Sequence, residues 1–244
     1  MVSGGGTGIG RACAAALAED GLDVVLLGRR ADVLADTADE LHATGGATVR
    51  ALRCDVSDPA QVRTAVAELR DVSETVDVVV NNAGAAAGKT GPDSSLEEVA
   101  ETWAAAWRAN VLSAVLLTTA LEPCLTRPGG RIVLIGSRVA VTGASTPAYV
   151  AAKAALNGWV LSLAARLGSQ GITANLVAPG YTETDLLVGR MPPERHAALV
   201  AGIAAARPAQ PAEIAAVVRF LAGPSASYVN GQVIGVDGGS RFPG

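Results

Sequence analysis

Tyr149 and Lys153 stand four residues apart within the helix-patterned stretch Pro147–Gly168, so their side chains share one face. A free phenol titrates near about 10, too high for ready proton exchange at neutral pH, and an adjacent ammonium favours the phenolate. The pair suits general acid/base work, with Lys153 expected to lower the Tyr149 pKa. Ser137 lies twelve residues before Tyr149, just past the apolar run Arg131–Ile135, and adds a hydroxyl. A Tyr–Lys pair at this spacing also arises by chance, so the elements that carry it must decide.

A second chemical feature sits at the amino end. Ser3-Gly4-Gly5-Gly6-Thr7-Gly8-Ile9-Gly10 opens a helical stretch with glycines at G-x3-G-x-G spacing. Missing Cβ atoms let backbone approach a pyrophosphate, and a helix amino end offers free N–H groups and a positive dipole. The next apolar run, Asp23–Leu27, ends in Gly28-Arg29-Arg30, with no carboxylate before Asp32. In dinucleotide folds that position meets the adenosine ribose. A guanidinium there suits a 2′-phosphate, so NADP(H) is expected over NAD(H), read by Arg29 or Arg30. The competing reading is a solvated basic pair.

The positioning elements follow from pattern. Short β-branched runs at 23–27, 48–53, 76–80, 131–135, 172–177 and 232–236 alternate with helical stretches at 10–20, 32–44, 59–71, 96–125, 147–168 and 212–222. Continuous apolar strands are covered on both faces, as in parallel sheets. The alternation predicts a doubly wound, Rossmann-like α/β sheet, with 1–244 as one domain. Residues 181–210 hold no clear strand and are expected to form a substrate lid, the competing reading being an irregular helical excursion.

Composition narrows the function further. The chain has 244 residues, half of them apolar and 17% charged, which excludes disorder. A net charge of -4 argues against a nucleic-acid binder and against a polybasic membrane-surface protein. No apolar run is expected to span a membrane. No signal peptide is read at Met1, which leads at once into the glycine run. Cys13, Cys54 and Cys124 form neither a CxxC nor a zinc set, and read as reduced thiols in a cytoplasmic protein. No metal site is expected.

The ordered motifs resemble the short-chain dehydrogenase/reductase family along essentially the whole chain. Ser3-Gly4-x-x-x-Gly8-Ile9-Gly10 resembles TGxxxGIG with Ser for Thr. Asp55-Val56 resembles the pair flanking the adenine, and Asn81-Asn82-Ala83-Gly84 the family's NNAG. Asn110-Val111 resembles the helix asparagine; Pro179-Gly180 with Thr182-Glu183-Thr184 resembles the nicotinamide segment, and Val236-Asp237-Gly238-Gly239 the terminal strand. The resemblance implies a tetrad of Asn110, Ser137, Tyr149 and Lys153. Tyr149 would donate a proton, Lys153 would tune it and meet the nicotinamide ribose, and Ser137 would hold the substrate oxygen. Asn110 would kink its helix and hold a relay water. Cofactor contacts implied are Ser3, Gly4, Gly6, Thr7, Gly8, Ile9, Arg29, Arg30, Asp55, Val56, Asn82, Ala83, Gly84, Tyr149, Lys153, Pro179, Gly180, Thr182 and Thr184.

Taken one at a time, these residues also have plain structural readings. Asp55 could cap the helix at Pro59, Asn81 could brace a neighbouring strand, and His42 and His196 read as surface residues. Trp103, Trp107 and Trp159 read as packing or subunit contacts.

Two departures stand out. Only Met1 and Val2 precede Ser3, so the first, central strand reads as truncated, and an upstream natural start is the favoured explanation. Gln170 occupies a position where the resembling acyl-carrier reductases place an arginine, leaving Arg127 and Arg131 as candidate carrier contacts. The expected function is an NADPH-dependent ketoreductase acting on a small or medium carbonyl substrate. The enzyme alternative is a 3-oxoacyl-thioester reductase, and the non-enzymatic alternative is a dinucleotide-binding sensor. Arg138, Val139, Thr142 and the run Ala85–Gly88 are candidate pocket residues. The resemblance also implies a homotetramer.

Overall fold

The structure is a computed structural model that describes residues 1–44, 46–86, 88–184 and 192–240. Seven strands form one sheet, all pairings parallel: β1 (Val2–Ser3), β2 (Val24–Gly28), β3 (Val49–Arg53), β4 (Val78–Asn81), β5 (Arg131–Ile135), β6 (Thr173–Pro179) and β7 (Val233–Val236). Their order is β3-β2-β1-β4-β5-β6-β7. The chain runs outward from β1 in one direction and then, from β4, in the other. That reversal opens a crevice at the carboxyl ends of β1 and β4, where doubly wound sheets bind ligands.

Every residue of β4, β5 and β6 is buried, as continuous apolar runs require when both sheet faces are covered. Successive strand residues point to opposite faces. Val24, Leu26, Val78, Val80 and Val133 meet α1 (Gly8–Glu19), α2 (Ala31–Thr44) and α9 (Pro211–Ala222). Val25, Leu27, Val79, Ile132 and Leu134 meet α3 (Pro59–Arg70), α5 (Ser113–Leu121) and α7 (Pro147–Leu167), with Ala106 from α4 (Leu96–Trp107). Two shorter helices, α6 (Val139–Thr142) and α8 (Pro193–Ala201), complete the α-helices among the described residues; α6 was not foreseen, and α8 falls in the stretch read as either a lid or an irregular helical excursion.

Helix starts follow local chemistry. Asp58, not Asp55, caps α3 by accepting from the Ala60 and Gln61 amides, with Pro59 at the first helical position. Ser95 and Glu98 form a capping box at α4. The expected helix over 96–125 is divided. A π-helical turn at Arg108–Leu112 separates α4 from α5, and a 3-10 turn follows at Glu122–Cys124.

The central strand is short but present. Val2 pairs with Leu26 on one side and with Val80 on the other. The Met1 ammonium is buried and donates to the Val78 carbonyl at 2.7 Å, and burial pulls its pKa down to about 5.

One expectation is corrected. Leu96–Cys124 and Pro147–Gln170 are each long and apolar enough, by length and composition, to cross a membrane. In the fold, Leu117, Leu121, Leu156, Val160 and Leu163 from these stretches are buried against the sheet. Core packing accounts for part of their apolar content, while Leu96, Trp103, Trp107 and Leu161 stay exposed.

Candidate active site

The glycine loop joins β1 to α1 at the crevice. Gly4 and Gly8 take positive φ, +64° and +53°, which glycine adopts without strain. A Cβ on Gly10 would lie 2.1 Å from the Gly4 carbonyl oxygen, so the turn closes only with glycine there. The amino end of α1 is left open to a ligand. Thr7 makes no side-chain cap, and no acidic residue occupies the first turn. These free N–H groups and the helix dipole favour an anion.

A cavity of about 420 Å³ spreads from this helix end. Gly4, Gly6, Thr7, Gly8, Ile9, Arg29, Arg30, Asp55, Val56, Asn82, Ala83, Gly84 and Thr184 line it, as expected of cofactor contacts. Arg29 and Arg30 are exposed at its rim, and the Arg30 guanidinium reaches Thr7 Oγ1 at 3.5 Å. Sequence reasoning missed a third guanidinium at this corner: Arg53 Nε donates to the Arg29 carbonyl at 3.3 Å. The register of β2 with β3 pairs Gly28 with Arg53, which is what brings it there. At another part of the wall, hydrogen bonds from Ser57 hold the Asp55 carboxyl below its usual range. A glycine-lined cavity, an open helix end and an arginine rim fit a phosphorylated dinucleotide.

Some expected contacts act differently. Ser3 is buried and lies outside the cavity lining; its Oγ accepts from the Asn82 and Ala83 amides, each at 3.0 Å. It braces the NNAG loop. Asn82 Nδ2 returns bonds to the Ser3 and Gly4 carbonyls. Asn81 braces α5 through Thr118 Oγ1, at 2.9 Å, in place of a neighbouring strand. Thr182 is buried, with Oγ1 on the Gly180 carbonyl, and Pro179 and Gly180 also lie behind the wall. Thr184 reaches the cavity, with its methyl 3.2 Å from where a Gly8 Cβ would stand.

Asn110 and Lys153 meet beside Gly84, with Tyr149 next to Lys153 and Ser137 bonded to Tyr149. Lys153 is fully buried, donates to the Ile135 carbonyl at 2.9 Å, and stands 5.8 Å from the Tyr149 ring centre. Burial lowers its pKa to about 8. Tyr149 departs from the expectation of a lowered pKa: burial raises it, and a hydrogen bond with Ser137 offsets this in part. The Lys153 ammonium is not among the causes of the shift. Ser137 sits at the carboxyl end of β5 and also accepts from the Val139 amide at 3.3 Å.

Asn110 is the centre of the π turn. Its Nδ2 donates to the Ala85 and Ala106 carbonyls at 2.8 and 2.9 Å, and its buried Oδ1 has no partner. The π turn is the kink expected at this residue. A buried acceptor without a donor marks a place for water or a ligand group. A Cβ on Gly84 would fall 2.7 Å from that Oδ1 and 3.2 Å from Lys153 Nζ. Gly84→Ala is therefore expected to displace both groups and to cut turnover, with an overpacking cost of about 1–3 kcal/mol. Steady-state kinetics and thermal melting on the variant check this; unchanged turnover contradicts the packing argument.

Other expected pocket residues resolve in part. Arg138 turns its guanidinium to Asp237, and Val139 and Thr142 lie on α6. Ala87, within the run Ala85–Gly88, and 185–191, within the proposed lid, lie outside the described residues. His42 is exposed, with Nδ1 3.2 Å from the Ala47 carbonyl, and His196 Nδ1 is 2.8 Å from the Tyr181 hydroxyl, linking α8 to the segment after β6. No metal-binding group of His, Cys, Asp or Glu occurs among the described residues. The three cysteines are free and buried, and burial pushes Cys13 up to about 12 and Cys54 to about 11.

Comparison with known proteins gives this geometry its class. A family model described as enoyl-(acyl carrier protein) reductase matches residues 4–241. The chain belongs to the short-chain dehydrogenase/reductase family, oxidoreductases acting on alcohol and carbonyl groups. It is 35% identical over 241 residues to the 3-oxoacyl-[acyl-carrier-protein] reductase FabG of Escherichia coli, covering 98% of this chain and 95% of that one. It is 36% identical to carbonyl reductase family member 4 of Danio rerio, covering 99% and 97%. Among solved structures, a blue fluorescent protein from a metagenomic library in complex with NADPH superposes with a TM-score of 0.88 at 37% identity, covering 100% and 96%. A point variant of actinorhodin polyketide ketoreductase with NADPH gives 0.87 at 29%, covering 98% and 95%.

Proposed function

We propose that the chain is an NADPH-dependent ketoreductase that converts a carbonyl of a small or medium organic substrate to a secondary alcohol. The observation that carries this reading is the cluster of Ser137, Tyr149, Lys153 and the unpartnered Asn110 Oδ1, which reaches the glycine-lined cavity where Asn110 and Lys153 stand beside Gly84 of its wall. The arginine rim and the NADP-bound or NADPH-bound neighbours support NADP(H) as cofactor. NADPH, when bound, supplies the hydride.

The chain's own groups then divide the work. Ser137 hydrogen-bonds the carbonyl oxygen and orients it, and its hydroxyl dipole stabilises the charge that grows there. Tyr149 gives its phenolic proton to that oxygen. Lys153, charged below about pH 8, stabilises the phenolate left behind. Asn110 Oδ1 accepts from a relay water that returns the proton. Residues 1–244 act as one domain in this reading, with 181–210 as the lid.

A free substrate is favoured over one presented by a carrier protein. Arg127 is occupied by the Gln170 amide oxygen and the Leu125 and Glu122 carbonyls. Arg131 is buried, with its guanidinium on the Gly130 carbonyl. Arg131 is therefore closed to an acidic partner, and Arg127, though exposed, already holds three intramolecular bonds. The identity to FabG keeps the 3-oxoacyl-thioester reading as the alternative. The intact Tyr149–Lys153 pair argues against a sensor. Reading the chain as a cytoplasmic homotetramer is supported by Trp103 and Trp107, both exposed on one side of α4, and by its buried free thiols.

NADPH consumption with a panel of free ketones and with an acyl-carrier 3-oxothioester tests the assignment. Reduction of a free ketone at a kcat/KM at least equal to the carrier substrate is expected. A strict requirement for the carrier-linked substrate replaces this reading with the alternative, and no reduction of either refutes both.

A further inference from the structure

Resting on the ketoreductase reading, we propose that the ion pair between Arg138 and Asp237 is a positioning clamp that fixes the Ser137 hydroxyl relative to the nicotinamide segment and to the base of α8. Arg138 directly follows Ser137. Its amide donates to the Pro179 carbonyl at 2.9 Å, so the serine loop is already stitched to the end of β6. Its Nε meets Asp237 Oδ2, and both side chains are mostly buried, at 20% and 15% exposure. Shielding makes the attraction in such a pair stronger than in open solvent.

The Asp237 carboxylate serves two sides at once. While Oδ2 faces Arg138, Oδ1 accepts from the Gly239 amide at 3.1 Å. The Asp237 carbonyl accepts from Ser240, through the amide at 3.2 Å and the hydroxyl at 2.8 Å. The turn thus fixed reaches the segment after α8: the Ala205 amide donates to Gly238 at 3.0 Å, the Ala204 amide to Gly239 at 3.3 Å, and Ile203 bridges Ser240. Asp237 also packs on Gly180, where a Cβ would fall 2.7 Å from the Asp237 Cβ. The Arg138 side chain runs past Gly235, its Cδ 3.5 Å from where a Cβ there would stand, an ordinary packing distance. One carboxylate therefore holds together the loop bearing Ser137, the Pro179–Gly180 turn and the base of α8.

Neither residue touches the reacting atoms, so the clamp acts through placement of Ser137. A displacement near one ångström at such a group costs up to about a hundredfold in rate. The test compares wild type, Arg138→Gln, Asp237→Asn, Arg138→Lys and the charge-exchanged double variant Arg138→Asp/Asp237→Arg. NADPH-dependent reduction is assayed well below each melting temperature. For the two neutralised variants, kcat is expected to fall about tenfold to a hundredfold, with KM for NADPH within about twofold of wild type.

Arg138→Lys, which keeps the charge, is expected to retain more activity than Arg138→Gln, and the exchanged pair to exceed the product of the two single losses. Amide exchange at 202–206 is expected to accelerate in both neutralised variants. Full kcat in Arg138→Gln, or an exchanged pair no better than that product, overturns the clamp. If Asp237→Asn does not fold, the Arg138 variants alone decide. Loss of ketone reduction in wild type itself would refute the reductase reading instead, and the exchange measurement would still report on the clamp.

Discussion

Replacing Tyr149 with phenylalanine is expected to abolish ketone reduction while leaving NADPH binding intact. The variant keeps the ring that packs beside Lys153 and removes the acid together with its hydrogen bond to Ser137. General acid catalysis contributes about 10²–10⁴-fold, so residual turnover below about one per cent of wild type is expected. Burial holds the Tyr149 pKa above its usual value, with the Ser137 hydrogen bond working against it. The phenol therefore stays protonated throughout the neutral range, which suits donation to a developing alkoxide. The same raised value disfavours alcohol oxidation, which needs the phenolate. Raising the pH should help oxidation more than reduction, until Lys153 loses its charge above about 8. Fluorescence titration of the variant with NADPH, beside its turnover, checks both halves. Turnover near wild type removes Tyr149 from its role; loss of NADPH binding makes the residue structural.

Lys153 illustrates where sequence reasoning stopped. Its i, i+4 spacing from Tyr149 correctly put both on one face of α7, but spacing carries no information about desolvation. Burial acts on both groups and moves their pKa values in opposite directions, the phenol up and the amine down. The strands were legible because β4, β5 and β6 are unbroken apolar runs buried on both faces. The kink at Asn110 was expected only through the family resemblance, and the carbonyls of Ala85 and Ala106 that accept from its amide show the bonding that accompanies the π turn. Ser3 was misassigned. Its place in the glycine loop suggested a phosphate contact, but the adjacent strand β4 delivers two free amides to its hydroxyl first. Arg53 came into play through strand register, which no short motif encodes, and the motif that contains Asp237 did not show its partner Arg138.

Substituting aspartate for Arg29 is expected to invert the cofactor preference. Arg29 and Arg30 stand exposed at the rim of the cavity, next to the end of β2, and Arg53 is tied to the Arg29 carbonyl. Charge-assisted bonds to a phosphate are worth about 1.5–3 kcal/mol, which corresponds to roughly ten- to a hundredfold in affinity. An aspartate removes that attraction, adds repulsion toward the 2′-phosphate, and offers an acceptor to a free ribose hydroxyl. The NADPH/NADH ratio of kcat/KM should therefore fall by about a hundredfold or more. Arg30→Ala separates the neighbouring guanidinium: Arg30 reaches Thr7 at the loop, so its loss should weaken both dinucleotides more evenly. Equilibrium binding of each cofactor to both variants gives the ratios directly. An unchanged preference in Arg29→Asp, with a shift in Arg30→Ala, transfers phosphate reading to Arg30. Unchanged preference in both leaves Arg53, held in place by the register of β2 with β3, as the remaining guanidinium at that corner.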